Sequence, residues 1–213
     1  MNRLLLIIIP ALFSLVSCEK QEAEEINLKA LKKEEPKVFR QPEKLIAYVD
    51  NEDNDFIKTK HIGEITYQAA LRPVDYLLSK KRIQENNPSL RKEAFEDLQY
   101  FDLRIGVADF HQEFIKYNLA SGDDYQQQVN YCSFNMQKDI KLIDGKDTLN
   151  CVLFHYERTF DVVPYGHFTL GFEPIKSALV NTKVLLFSDQ LFKNGMIKFT
   201  FSPKLLVNEP TLL

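Results

Sequence analysis

The sequence predicts an α+β to mainly-β domain, an antiparallel β-sandwich with a few short helices at one edge, and three observations carry that expectation. In its second half apolar and polar residues alternate over short segments, as in Phe168, Leu170, Phe172 and again in Ile197, Phe199, Phe201. Antiparallel strands with one wet face give this pattern. Sixteen Phe and nine Tyr in 213 residues supply bulk for a core between sheet faces. Turn signals at Asp144-Gly145 and Pro164-Tyr165-Gly166 stand where hairpins would reverse.

The first element is not part of that domain. Residues 4–16 form an apolar run preceded by Arg3 and interrupted by Pro10, and a helix needs about 20 apolar residues to cross a bilayer. The run is too short to span and reads as the leader of an exported protein, residues 1–17, removed on maturation. At its end stand Leu15, Val16, Ser17 and Cys18, which resemble the lipobox of bacterial lipoproteins. The resemblance covers the first eighteen residues and implies that the Cys18 thiol is acylated. Two or more acyl chains hold a protein on a membrane stably, each buried methylene contributing about 0.8 kcal/mol. The acidic stretch after Cys18, from Glu19 to Glu25, is similar to that of surface-exported lipoproteins of the Bacteroidota. Because Glu19 follows the cysteine, an outer-membrane address is expected, facing the periplasm or the cell surface.

Residues 18–44, rich in Glu and Lys with Pro36 and Pro42, read as a charged tether. A single globular domain is expected over residues 45–213. Its first strand is "LIAYV"; "EITYQAAL" follows, with Ile65, Tyr67, Ala69 and Leu71 on one face. Pro73 starts a helix through Val74, Leu77 and Leu78, and "NNPSLRKEAFEDLQ" starts another, with Pro88 early. "YFDLRIGV" alternates as a strand, and "ADFHQEFIKYNL" switches to helical spacing. The remaining segments, "VNYCSFNM", "TLNCVLFHYERTF", "HFTLGFE", "TKVLLF" and "MIKFTF", are all expected as strands.

Charge and cysteines narrow the function classes. Loss of residues 1–17 removes one charged side chain, Arg3, so the formal charge of −3 becomes −4. Nucleic-acid binding needs clustered Lys and Arg; Lys32/Lys33 and Lys80/Lys81/Arg82 are mixed with acids, and no nucleic-acid partner is expected. With Cys18 acylated, Cys132 and Cys151 remain. In an oxidising compartment they are either a disulfide around the Asp144-Gly145 turn, stabilising by about 3 kcal/mol, or two buried thiols.

Residues that carry chemistry are sparse. The densest constellation is Asp109, His111 and Glu113 with His155, Glu157 and Arg158, but the spacing lacks the paired ligands a zinc site uses. No Gly-x-Ser-x-Gly elbow or phosphate loop is present. No catalytic residue, metal or cofactor is assigned, and a hydrolase is the least favoured reading. Glycan binding would rest on Tyr125, Tyr156 and Tyr165, since the sequence has no Trp. The leading expectation is a lipid-anchored component that binds an envelope protein, with Pro164, Tyr165 and Gly166 as the contact turn.

Overall fold

The computed structural model describes residues 36–175 and 180–213. Cys18 and the lipobox lie outside the described residues. Along the chain run β1 (Val38–Phe39), α1 (Pro42–Val49), β2 (Ile57–Ile62), β3 (Ile65–Arg72), α2 (Val74–Glu85), β4 (Gln99–Val107), α3 (Gly122–Asn130), β5 (Ile140–Asp144), β6 (Asp147–Glu157), β7 (Tyr165–Phe172), β8 (Lys183–Asp189), β9 (Gly195–Phe201), α4 (Pro203–Val207) and β10 (Thr211–Leu212).

Eight of these strands form one sheet in the order β2-β3-β4-β7-β6-β5-β8-β9, and every pair in it is antiparallel. The mainly-β, antiparallel expectation holds. Its finer form, two stacked sheets, does not describe the connectivity, because β6 belongs to both halves. Lys141–Asp144 of β5 pair with the first residues of β6, while Cys151–Glu157 pair with β7, and the register shifts between Cys151 and Leu153. A bulge bends its strand and increases local twist. The sheet therefore rolls until its ends face each other. Tyr67 of β3 lies 6.3 Å from Phe187 of β8, and Phe101 of β4 lies 5.4 Å from Phe201 of β9. β2 and β9 are not bonded to each other, so the barrel-like roll stays open.

The inside of the roll is the core, lined by alternate residues: Ile65, Tyr67, Ala69 and Leu71 from β3, Phe101, Leu103 and Ile105 from β4, Phe168, Leu170 and Phe172 from β7. Asp189, at the end of β8, ties the facing halves together. Its carboxylate accepts from Tyr67 Oη at 2.7 Å and from the backbone N–H groups of Leu191, Phe192 and Asn194. This buried acid is satisfied as the organiser of a turn.

Several sequence expectations change. "LIAYV" belongs to helix α1: Pro42 stands in its first turn, and Leu45 and Val49, four apart, are the buried pair. Five consecutive apolar residues fit either period, and the preceding proline decides. The folded unit thus starts ahead of Leu45, with β1 pairing parallel to β10. The second proline-led helix reduces to one 3₁₀ turn at Lys92–Phe95. α2 ends on left-handed Asn86, and the Arg82 guanidinium donates twice to Leu90 O, at 3.0 and 2.8 Å, holding the chain out of a helix. "ADFHQEFIKYNL" likewise keeps a single turn, Phe114–Lys116, because Glu113, Phe114 and Ile115 are all buried and no helix face covers three successive positions. "VNYCSFNM" is helical, finishing α3 in a π turn at Tyr131–Asn135, with Val129, Cys132 and Met136 buried at spacings of three and four. Cys132 and Cys151 are separate buried thiols, not a disulfide: the first sits on this helical turn, and the second donates to Leu153 O at 3.0 Å beside the bulge. Burial pushes both thiols up, Cys151 to about 11, which leaves them inert.

Candidate functional site

The outer face of β3, β4, β7 and β6 carries the residues that alternate with the core set. Register places them in rows: Gln68, Arg104, His167 and Glu157 in one; Ala70, Asp102, Thr169 and His155 in the next; Thr66, Gly106 and Tyr165 on the other side. Cross-strand neighbours on one face interact directly, and here they form a charged chain.

At its deep end Arg72, 3% exposed, donates Nε–H to Asp102 Oδ2 at 2.6 Å and Nη1–H to Asp50 Oδ1 at 2.7 Å. Tyr76 donates to the same Asp50 oxygen at 2.9 Å, and the Arg72 guanidinium lies 4.5 Å from the Tyr76 ring centre. Asp102 Oδ1 faces His167 Nε2 at 3.4 Å, while His167 Nδ1 meets Glu157 Oε2 at 3.0 Å. Burial alone would raise the Asp102 carboxyl, but His167 and Arg72 hold it below the usual carboxylate range. The Asp102 carboxylate in turn lifts the His167 pKa above its ordinary value, against the opposing effect of burial and with help from Glu157.

Linkage gives this pair a sign. A histidine whose folded pKa is raised adds stability that is complete below its unfolded pKa, about 6.5, and lost as pH rises through the folded value. The wild type is therefore expected to lose urea stability as pH rises from about 6.5 through the raised folded-state value of His167. His167→Asn should flatten that slope, and an unchanged slope in the variant would place its origin elsewhere.

Arg104 stands apart from this chain. Its Nε is shut off from solvent without a hydrogen-bond partner, and among the described residues no carboxylate pairs with it. Its guanidinium lies 5.2 Å from the Tyr165 ring centre. Together they line a cleft of about 300 Å³ with Thr66, Gln68, Gly106 and Pro164. Gly106 leaves the room: a Cβ there would lie 3.4 Å from Tyr165 Cβ. The acids of this face are engaged, Asp102 by Arg72, Glu157 by His167 and Glu52 by the Gln68 amide at 3.1 Å. A second cavity, of about 320 Å³, holds Arg72, Asp144, Lys183 and Glu209. There Arg72 and Lys183 already meet acids, Lys183 by contact with Asp144, and burial pushes the Glu209 carboxyl up to about 7.

Pro164, Tyr165 and Gly166 are dispersed in role. Pro164 and Tyr165 border the cleft, whereas Gly166 faces inward, and a Cβ on it would come within 2.2 Å of the Phe114 ring. The projecting tip lies just before them. In loop 158–164, Phe160 is 67% and Val162 84% exposed. Phe160 and Asp161 both take left-handed backbone, φ 47° and 65°, a costly conformation for residues other than glycine. Asp161 holds it by accepting from Glu113 N at 2.6 Å and from Lys116 Nζ at 2.5 Å. Arg158 stacks on Phe160 at 4.4 Å and reaches Glu113 Oε1 at 3.3 Å.

Two members of the sequence-level constellation, Glu113 and Arg158, thus do meet, as the anchor of this loop. Fully buried Glu113 also accepts from Tyr125 at 2.8 Å and Tyr156 at 3.4 Å. Tyr156 is stacked on Phe168, with ring centres 4.8 Å apart, so that one of its faces is taken up within the core. His155 and Glu157 lie on the outer face instead. Sequence reasoning missed Arg72, Asp102 and Arg104 as site residues. Their signal was the polar half of the alternation in β3 and β4.

No family model matches the chain, and no curated protein matches it. Among solved structures, a DUF4426 family protein from Pseudomonas aeruginosa PAO1 shares 9% identity, with 69% of this chain and 92% of that chain covered and a TM-score of 0.37. A likeness at that level carries no argument about function.

Proposed function

We propose that this chain is an outer-membrane lipoprotein, tethered through acylated Cys18, whose domain engages a protein of the cell envelope through loop 158–164. The anchor rests on the lipobox residues Leu15, Val16, Ser17 and Cys18. The contact rests on one observation: the loop spends left-handed backbone at Phe160 and Asp161 to hold Phe160 and Val162 out in water. Strain kept by surrounding bonds is a pointer to function, and aromatic side chains such as Phe are enriched at protein interfaces. The apolar tip suits a hydrophobic pocket on the partner.

Crosslinking on intact cells, with recovery of the tagged protein, tests both parts. The wild type should bring down one envelope protein in near-equal amount. Phe160→Ser with Val162→Ser should lose it while the variant still unfolds cooperatively in urea, and Val162→Ser alone should weaken it at an unchanged midpoint, since Val162 is 84% exposed. Equal recovery by the double variant would rule the loop out. Cys18→Ser should release the protein to the soluble fraction or leave the precursor, and a mature, membrane-held variant would rule out the anchor.

A further inference from the structure

We propose that the Arg104 cleft is a binding site for a carboxylate carried on a flat apolar body. This goes beyond the partner-binding reading and does not depend on it. The half-buried Arg104 guanidinium has no carboxylate partner among the described residues, since on this face the acids are committed to other donors, and an arriving anion would supply the charge-assisted bonds it lacks. The cleft carries one cation and, in Thr66 and Gln68, two neutral polar side chains. That is the complement of a single planar anion. Arg offers a fork matching the two oxygens of a carboxylate, whereas a phosphate dianion calls for further cations or a nest of backbone N–H groups, and no Lys lines the cleft. The Tyr165 ring, Pro164 and Ala108 give the remaining wall an apolar surface on which a ring or planar chain can lie. At about 300 Å³ the cleft has the size of a small-ligand site.

The carboxylate can belong to a free acid or to the C-terminus of a peptide, and the test separates them. The full chain in non-ionic detergent is titrated with benzoate, with benzamide, with the peptide Gly-Gly-Phe, with its C-terminal amide and with inorganic phosphate. Binding is followed by saturation-transfer NMR against a detergent blank, and for phosphate by calorimetry. One of the two acids should bind saturably and its amide should not; the tighter acid identifies the source. Arg104→Gln should weaken that binding by about tenfold or more, the worth of a charge-assisted hydrogen bond. Arg104→Lys should fall between, keeping the charge without the fork. Gly106→Val, which fills the cleft and leaves Arg104 in place, should weaken it as well. Equal binding of acid and amide, indifference to both Arg104→Gln and Gly106→Val, stronger binding of phosphate, or no saturation by about 10 mM would each overturn the assignment.

Discussion

Replacing Arg72 with leucine is expected to cost about 3–5 kcal/mol of folding stability, the usual penalty for removing one partner of a buried ion pair. The measurement is the urea midpoint with its slope unchanged. Asp102 carries the effect. Its side chain is 12% exposed and takes Arg72 Nε–H at 2.6 Å, so without the guanidinium it keeps His167 and loses its strongest donor. Asp50, 40% exposed at the side chain, regains water and costs little. Arg72→Leu together with Asp102→Leu should recover part of the loss, because two apolar side chains leave no orphaned charge. A single-variant cost below about 1 kcal/mol would mean that the pair behaves as a surface salt bridge.

This pair also shows where the sequence was readable. The alternation that located β3, β4, β7 and β9 is written by sheet packing, since Phe101, Leu103 and Ile105 must enter the core while Asp102 and Arg104 must not. It announced Asp102 and Arg104 as outward residues without saying that Arg72 and His167 would be their neighbours, because register across β3, β4 and β7 is set by tertiary pairing. The helical segments failed for another reason. "LIAYV" and "VNYCSFNM" are short apolar runs that fit both periods, and the deciding features, Pro42 and the spacing of Val129, Cys132 and Met136, are single residues. Loop 158–164 was named only through Arg158 and Pro164. Its left-handed turn depends on Asp161 meeting Glu113 and Lys116 from far along the chain, which no local pattern records.

Phe101→Ala is the other large effect, expected at about 3–5 kcal/mol for a fully buried phenylalanine. What it reports depends on the roll. The Phe101 ring sits edge-on to Phe172 of the adjoining strand β7, at 5.8 Å, and 5.4 Å from Phe201 of β9, which comes from the far end of the strand order. Truncation therefore removes a contact within the sheet and one between its facing ends. If the halves were separate sheets, losing the second contact would free β8 and β9 while β3 and β4 kept their own ladder. Here β6 carries the hydrogen bonding from β7 to β5 without a break between sheets, so the sheet should open as one cooperative unit. Native-state hydrogen exchange on Phe101→Ala should then show the amides of β4 and β9 losing protection by the same free energy. Protection lost in β9 and retained in β4 would divide the sheet at β6 and count against the continuous roll. Met196→Ala, on the exposed face of β9, should move neither strand by more than about 0.5 kcal/mol, which ties the effect of Phe101 to its place between the two ends.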